Sequence, residues 1–392
     1  MTRISIYIQL FLLFLLVSCG QKRQEPVVTP WGEIADTIPQ DNDFDLDEIQ
    51  RNGELIGLTL TGPETYYDYR GRHLGVQYLL AQRFASKLGV SLRMEVCRDT
   101  TEMLQRLQEG EADLAILPPS VCFPDSSLFT IHSSLHWLVG PDKDDLEQEL
   151  KAWYRPSMLD EAKKQEAYYL SNRAVRRKVY APMLNRQGGV ISHYDVVFQH
   201  HAPRIRWDWR LLAAQCYQES CFDPQARSWA GACGLMQIMP STADHLGLPR
   251  SAIFNPEQNI AAAVKYIAEL QQSFSDIPNP TERTKFVLAA YNGGGFHIRD
   301  AMALARKHGR NDKMWRNVEP FVLGLQQAQY YNDPVVRNGY MRGSETVDYV
   351  RKIHDRWNSY RGIKVSHSVS SGGPTGIPQK AKRERKKKYQ IE

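Results

Sequence analysis

The chain has 392 residues, enough for two domains with separate cores. At 42% hydrophobic and 24% charged it has the composition of a folded protein, which excludes a chain disordered throughout. The formal net charge is +5 and much of the basic excess lies in the last residues, which excludes a globally basic nucleic-acid binder.

Arg3 gives the N-terminus a positive start, and residues 4–17 form an apolar run too short and wrongly flanked for a membrane span. The run ends in Leu16-Val17-Ser18-Cys19. That tetrapeptide resembles a bacterial lipobox. The resemblance implies a signal peptide over 1–18 and a lipidated Cys19 as the mature N-terminus. With Gly20 rather than Asp next, it also implies a periplasmic protein anchored to the outer membrane. The alternative is an uncleaved anchor helix with an incidental cysteine. Several acyl chains would hold the protein stably at a membrane. Residues 19–52 are acidic and carry Pro26, Pro30 and Pro39, so a disordered linker is expected.

From residue 53 the pattern changes. Leu55–Leu60 reads as a strand, Tyr67–Gly71 as a turn, and Val76–Leu88 as a helix with Val76, Leu79, Leu80, Phe84 and Leu88 on one face. Val90–Val96 and Ala112–Leu117 are strands on either side of a short helix from Thr101 to Gly110. This β-α-β-α-β order predicts a parallel α/β sheet. The segments Tyr69-Arg70-Gly71, Ala81–Val90 and Leu107–Leu114 resemble the first lobe of family 3 periplasmic solute-binding proteins. The second lobe is missing: Leu135–Val139 and Leu146–Trp153 look like the returning strand and helix. The resemblance therefore implies a truncated solute-binding-like domain over 53–155 that acts as a docking or spacer element, with a solute sensor as the alternative.

Residues 156–190 are charged and tyrosine-rich and predict an exposed helical linker. From 191 to 362 the pattern is helical almost throughout. Asp208 caps a helix over Trp209–Ser220, Ser241 caps one ended by Gly247, Pro256 and Thr281 open two more, and Ser344 opens the last. Residues 363–392 are rich in Ser, Gly and Pro and then in Lys and Arg, which predicts a disordered basic tail, either merely solvated or drawn to anionic headgroups or cell-wall groups. The fold class is thus α+β and multidomain, a small α/β lobe followed by an all-α domain.

The chemistry centres on Glu219. Leu212, Cys216 and Glu219 fall at i, i+4 and i+7, so the carboxylate is aimed at the apolar side of its helix. Burial raises a carboxyl pKa, and a carboxyl protonated near neutral pH can be a general acid. The competing reading is a Glu turned to solvent or paired with Arg210 or Arg227. Asp223, four residues on, is the obvious second carboxylate of a glycosidase pair, but Asp223-Pro224 also opens a turn, and the turn is the favoured reading. A lone acid suffices if the substrate carries its own nucleophile.

Three ordered motifs then converge: Glu219-Ser220, Gly234-Leu235-Met236-Gln237-Ile238-Met239-Pro240 with Thr242-Ala243, and Ala289-Ala290-Tyr291-Asn292-Gly293-Gly294. They resemble family 1 lytic transglycosylases, whose domain is lysozyme-like, of the goose type, and the match spans roughly 191–360. The order of lipobox, solute-binding-like domain and this domain is similar to the membrane-bound lytic murein transglycosylase F type. The resemblance implies that Glu219 is the catalytic acid and base, and that Ser220, Met236, Gln237, Tyr291 and Asn292 serve the substrate, the Tyr291 hydroxyl reaching Glu219 or the acetamido group. It implies peptidoglycan strands as substrate, cell-wall synthesis or remodelling proteins as partners, and no cofactor or metal. The alternatives are a hydrolytic muramidase, with Asp223 positioning water, and a non-catalytic wall-binding scaffold. Of the six cysteines, Cys221 and Cys233 bracket the turn in the motif and are the expected disulfide. Cys97 with Cys122 has no pattern behind it, and Cys216 is expected as a buried thiol.

Overall fold

The computed structural model describes residues 45–118, 130–132, 135–171 and 174–362. The expectations for the signal peptide, Cys19, Cys122, most of the linker and the basic tail lie outside the described residues. No helix among the described residues is long and apolar enough to cross a membrane.

The expected linker ends earlier than residue 52. Leu46–Asn52 forms α1, begun by Asp45 and ended by Gly53 in the left-handed region. The Asp45 carboxylate accepts from Leu46 N and also from Asp145 N and Leu146 N at 2.8 and 3.0 Å. One side chain therefore caps two helix starts and ties the segment down.

The first lobe continues with β1 (Glu54–Thr59), β2 (Tyr67–Tyr69), β3 (Arg72–Leu74), α2 (Val76–Leu88), β4 (Ser91–Val96), α3 (Thr100–Gln108) and β5 (Leu114–Ile116). After these come β6 (Thr130–His132), β7 (Leu135–Val139), α4 (Asp144–Trp153) and α5 (Pro156–Tyr169). The main sheet has the order β4-β1-β5-β7-β6. The three strands expected to be parallel are parallel, and β7 returns antiparallel against β5. Phe84, Leu55, Leu80 and Trp137 fill the core, with Trp137 Nε1 donating to Gln77 Oε1 at 2.8 Å.

The exposed helical linker expected over 156–190 is corrected by the packing of α5. Ala162 is fully buried, Arg83 reaches Glu161 and Gln165, and Tyr67 OH donates to Glu166 Oε1 at 2.9 Å. Ala162 lets α5 approach α2 closely, and Met158, Leu159 and Tyr169 pack beside it against the same core.

The helical half comprises β8 (Val175–Arg176), α6 (Asp195–His201), α7 (Trp209–Ser220), β9 (Arg227–Ser228), α8 (Pro240–Leu246), α9 (Pro256–Ser273), α10 (Pro280–Gly293), α11 (Gly295–Lys307), α12 (Trp315–Gly324), α13 (Ala328–Tyr331) and α14 (Gly343–Tyr360). α7 is the central helix. Leu211 through Cys216 are all buried, enclosed by α6 and α14. β8 and β9 pair antiparallel across the mouth of this bundle.

The two halves are docked on each other. Trp229 stacks on Tyr169 at 4.1 Å and on Tyr69 at 6.3 Å, and Tyr340 packs edge-on against Tyr67 at 5.0 Å. The β2–β3 hairpin of the first lobe reaches into the helical half, where Arg72 Nε donates to Ala230 O at 3.0 Å and Tyr69 OH to Glu345 Oε2 at 2.7 Å.

Candidate active site

Glu219 occupies the last turn of α7. Asp208 starts that helix, accepting from Arg210 N at 3.0 Å and from Trp357 Nε1 at 3.1 Å. The helix ends abruptly because Cys221 and Phe222 both adopt positive φ, 52° and 62°. Two consecutive non-glycine residues in the left-handed region are costly, and such strain persists only where its surroundings enforce it. Asp223 does the enforcing: Lys178 N donates to its Oδ2 at 2.6 Å and Gln225 N to its Oδ1 at 3.0 Å. Asp223 is buried and does not line the cleft around Glu219, so it clamps the turn and does not position water there.

The second wall is the loop from Ala226 to Pro240. Its anchor is Asn259 on α9, which is fully buried. Asn259 Oδ1 accepts from Met236 N at 2.8 Å, and Nδ2 donates to Ile253 O at 2.8 Å and Cys233 O at 3.2 Å. Gly234 sits at φ 78°, and a Cβ there would stand 2.6 Å from Asn259 Nδ2, so glycine is required. Gln237 also has positive φ, and its Nε2 donates to Gly234 O at 2.9 Å and Ala226 O at 3.2 Å. With both amide hydrogens committed, the group it can offer the cleft is an acceptor oxygen.

The expected disulfide between Cys221 and Cys233 is absent; both are free thiols. Cys221 caps α7, whereas the Cys233 thiol faces Gly231 O at 3.2 Å within a bridge to Arg227 and Ile238. Asp223 and Asn259 provide the clamping that a disulfide was expected to give. Cys216 is buried as expected, and burial pushes its thiol pKa up.

The third wall is the end of α10 together with α14. Here the expected contact of Tyr291 with Glu219 is replaced. Tyr291 OH donates to Met236 O at 2.8 Å, which braces the loop. Tyr349 on α14 contacts the carboxylate instead, donating to Glu219 Oε1 at 2.5 Å and accepting from Gln215 Nε2 at 3.2 Å. Sequence reasoning missed Tyr349, because a lone tyrosine beside the apolar positions Val347, Val350 and Ile353 looks like core. Asn292 Oδ1 accepts from Thr346 Oγ1 at 2.8 Å.

The cleft holds about 490 Å³ and is lined by Glu219, Gln237, Tyr291, Asn292 and Tyr349, with Arg70 and Asp68 contributed by the hairpin. Ser220 and Met236, expected at the substrate, are fully buried behind the wall; Ser220 Oγ donates to Cys216 O at 3.2 Å. Asp68 is a second carboxylate in the cleft. Nothing near the motifs signals it, because it comes from the other lobe. It is exposed, bonds His73 Nδ1 at 2.7 Å, and that bond holds its pKa below the usual range.

Glu219 keeps part of its surface open to the cleft while protein encloses the rest. Burial pushes its pKa up to about 7, against the opposing pull of the Tyr349 hydrogen bond and the charges of Arg70 and Arg177. Neither arginine suggested as its partner takes that role: Arg210 pairs with Asp208, and Arg227 lies over the Phe254 ring at 4.3 Å. A buried carboxyl poised near neutrality can donate a proton and later take one back.

Residues 197–314 match the transglycosylase SLT domain model. The chain is 28% identical over 291 residues to "Membrane-bound lytic murein transglycosylase F" of Desulfosudis oleivorans, covering 68% of this chain and 60% of that one. It is 28% identical to "Membrane-bound lytic murein transglycosylase F 1" of Alkalilimnicola ehrlichii, covering 79% and 83%. Against the Ectopseudomonas mendocina protein of the same F type the identity is 31%, covering 65% and 54%. The chain thus spans as little as about half of some of these relatives and most of others. The chain thus carries a transglycosylase SLT domain over residues 197–314 and is similar, within and beyond it, to membrane-bound lytic murein transglycosylases.

Proposed function

We propose that this protein cleaves the β-1,4 bond between N-acetylmuramic acid and N-acetylglucosamine in peptidoglycan without water, leaving 1,6-anhydromuramic ends. The observation that carries the reading is Glu219: an enclosed carboxyl with a pKa near 7, hydrogen-bonded by Tyr349 in an open cleft. Protonated, it gives its proton to the glycosidic oxygen as the C1–O bond breaks. The muramic acetamido oxygen bonds to C1 and carries the positive charge as an oxazolinium. Ionised, Glu219 then takes the proton of the C6 hydroxyl as O6 bonds to C1 and the acetamido oxygen departs. Glu219 ends protonated, and no water is consumed. The bound geometry supplies the effective concentration of the internal hydroxyl. Gln237 and Asn292 serve as polar contacts for acetamido and hydroxyl groups, while Ser220 and Met236 support the wall from behind.

Hydrolysis of the same bond would call on a second carboxylate to activate water, and Asp68 is the group available in the cleft. Its commitment to His73 argues for the anhydro route. Mass spectrometry of digested sacculi separates the two: the expected products lack one water relative to hydrolytic ones, and reducing muramic ends as the main product would refute the proposal.

The α/β lobe is read as a truncated solute-binding-type domain used for docking. Lipidation at Cys19 would hold the enzyme at the outer membrane, with the intervening residues giving it reach to the wall and to cell-wall remodelling partners. Cys19→Ala is expected to move the protein from the membrane to the soluble fraction; equal partition of both forms would rule the anchor out.

A further inference from the structure

The tip of the β2–β3 hairpin is built in an unusual way. Its two central residues, Arg70 and Gly71, both lie in the left-handed region, at φ 49° and 72°. A two-residue hairpin turn of this hand favours Asn-Gly, and arginine at its first position is strained. The tip is also held firmly. Besides the Tyr69 and Arg72 bonds, the turn lies beside Met239, at the end of the loop that carries Gln237, near enough that a Cβ at Gly71 would stand 3.3 Å from Met239 Cε.

That strain places the Arg70 guanidinium in the same cleft as Glu219, with its side chain 41% exposed. Its ion-pair partner Glu345 lies at 3.8 Å, and Glu345 is already served by Tyr69 OH at 2.7 Å and Arg342 Nε at 2.8 Å. The fork of Arg70 is therefore available. A smaller cavity of about 230 Å³, lined also by Gln218, Asn292 and Lys352, lies on its other side, so Arg70 stands where two cavities adjoin. A guanidinium with spare donors matches a carboxylate.

Resting on the function proposed above, we propose that Arg70 is a specificity residue that takes a carboxylate of the glycan strand beside the scissile muramic acid, making the first lobe part of the substrate site. The carboxylate has two sources: the lactyl group of a stem-free muramic acid, or the peptide stem. Binding also bears on the acid. The groups facing Glu219 are Tyr349 from α14, Tyr291 from α10, Cys216 from its own helix, and the cations Arg70 and Arg177. The Arg70 charge favours the ionised carboxylate. A substrate carboxylate neutralises that charge and helps Glu219 keep its proton for donation.

The test uses the full chain, wild type, Arg70→Ala and Arg70→Lys. The substrates are stem-free strands, stem-bearing strands, and each of these with its carboxylates converted to amides. In wild type, kcat/KM favours the carboxylated strands. In Arg70→Ala that preference falls about tenfold, mainly through KM, and Arg70→Lys restores part of it. Loss of preference on stem-free strands identifies the lactyl carboxylate, and loss on stem-bearing strands identifies the stem. On amidated strands the alkaline limb of kcat/KM moves to higher pH in Arg70→Ala, a readout that a purely structural role leaves in place. Equal losses on carboxylated and amidated strands overturn the proposal, as does faster turnover on all of them, which would make the hairpin a plug. Wild type yielding no anhydro ends would sink the proposed function itself, an outcome distinct from either.

Discussion

Glu219→Gln is expected to reduce glycan cleavage by about 10³-fold or more, within or above the range attributed to a single general acid. Glutamine keeps the size and can still accept from Tyr349, but it has no proton to give and cannot serve as the later base. Sacculus binding should persist, since the cleft is unchanged. The same variant carries a stability signature. In the folded protein the Glu219 pKa is about 7, above its ordinary value of 4.5, so folding favours the protonated form. A carboxyl shifted in this direction costs nothing well below its unfolded pKa, and the penalty grows as pH rises towards the folded pKa. The gap corresponds to about 3 kcal/mol when the group is ionised, an order-of-magnitude figure. Glu219→Gln should therefore match wild type in stability near pH 4 and exceed it at pH 8. Chemical denaturation at both pH values checks this. Identical curves for the two proteins at pH 8 would show that Glu219 is not held against ionisation.

Asn259→Asp is expected to be the most damaging of the near-isosteric changes around the site. It replaces the Nδ2 donor, which faces Ile253 O and Cys233 O, with an acceptor. Ile253 O loses its donor, Cys233 O keeps only the Ile238 N–H, and a carboxylate is placed against both carbonyls in a fully buried position. Leaving such a charge uncompensated costs about 3–5 kcal/mol. At the scaling for domains of this size that lowers Tm by roughly 10 °C. The Met236 N bond, which an aspartate oxygen can still accept, does not offset the loss. Because Asn259 sets the loop carrying Gly234 and Gln237, cleavage should fall even at temperatures where the protein remains folded. A melting temperature within a degree or two of wild type would show that the loop is held by other contacts.

The parts of this fold that were legible in the sequence are those whose signals are local. The helix over Trp209–Ser220 follows from Asp208 and from the apolar run behind it. The order of the three parallel strands and their two helices between residues 53 and 117 follows from alternation and from glycine stops, whereas α1 and the β2–β3 hairpin, read as a linker and a turn, did not show. Glu219 itself could be singled out from its heptad position before any resemblance entered. What was not legible depends on contacts between distant segments. Tyr349 lies 130 positions from the carboxylate it touches. Asn259 looks like an ordinary polar residue near a helix start, and only the fold shows its three bonds at the back of a loop. Helix α5 seemed exposed because Ala162 is its one fully buried residue and the other apolar contacts, Met158, Leu159 and Tyr169, are scattered among charges. The disulfide expectation failed for a related reason: bracketing a turn makes two cysteines neighbours in sequence and says nothing about where their thiols point.

Trp229 lies stacked against Tyr69 and Tyr169, and it bears on modularity. The SLT match begins at residue 197, which invites cutting the chain there and moving the helical half elsewhere. Such a cut would strip Trp229 of Tyr69 and Tyr169 and Tyr340 of Tyr67. It would also remove β8, the partner of β9, and the hairpin that walls the cleft. The recognisable family segment is therefore smaller than the unit that holds a complete cleft. Transplanting the proposed activity into another protein would require carrying the α/β lobe with it, as one inheritance.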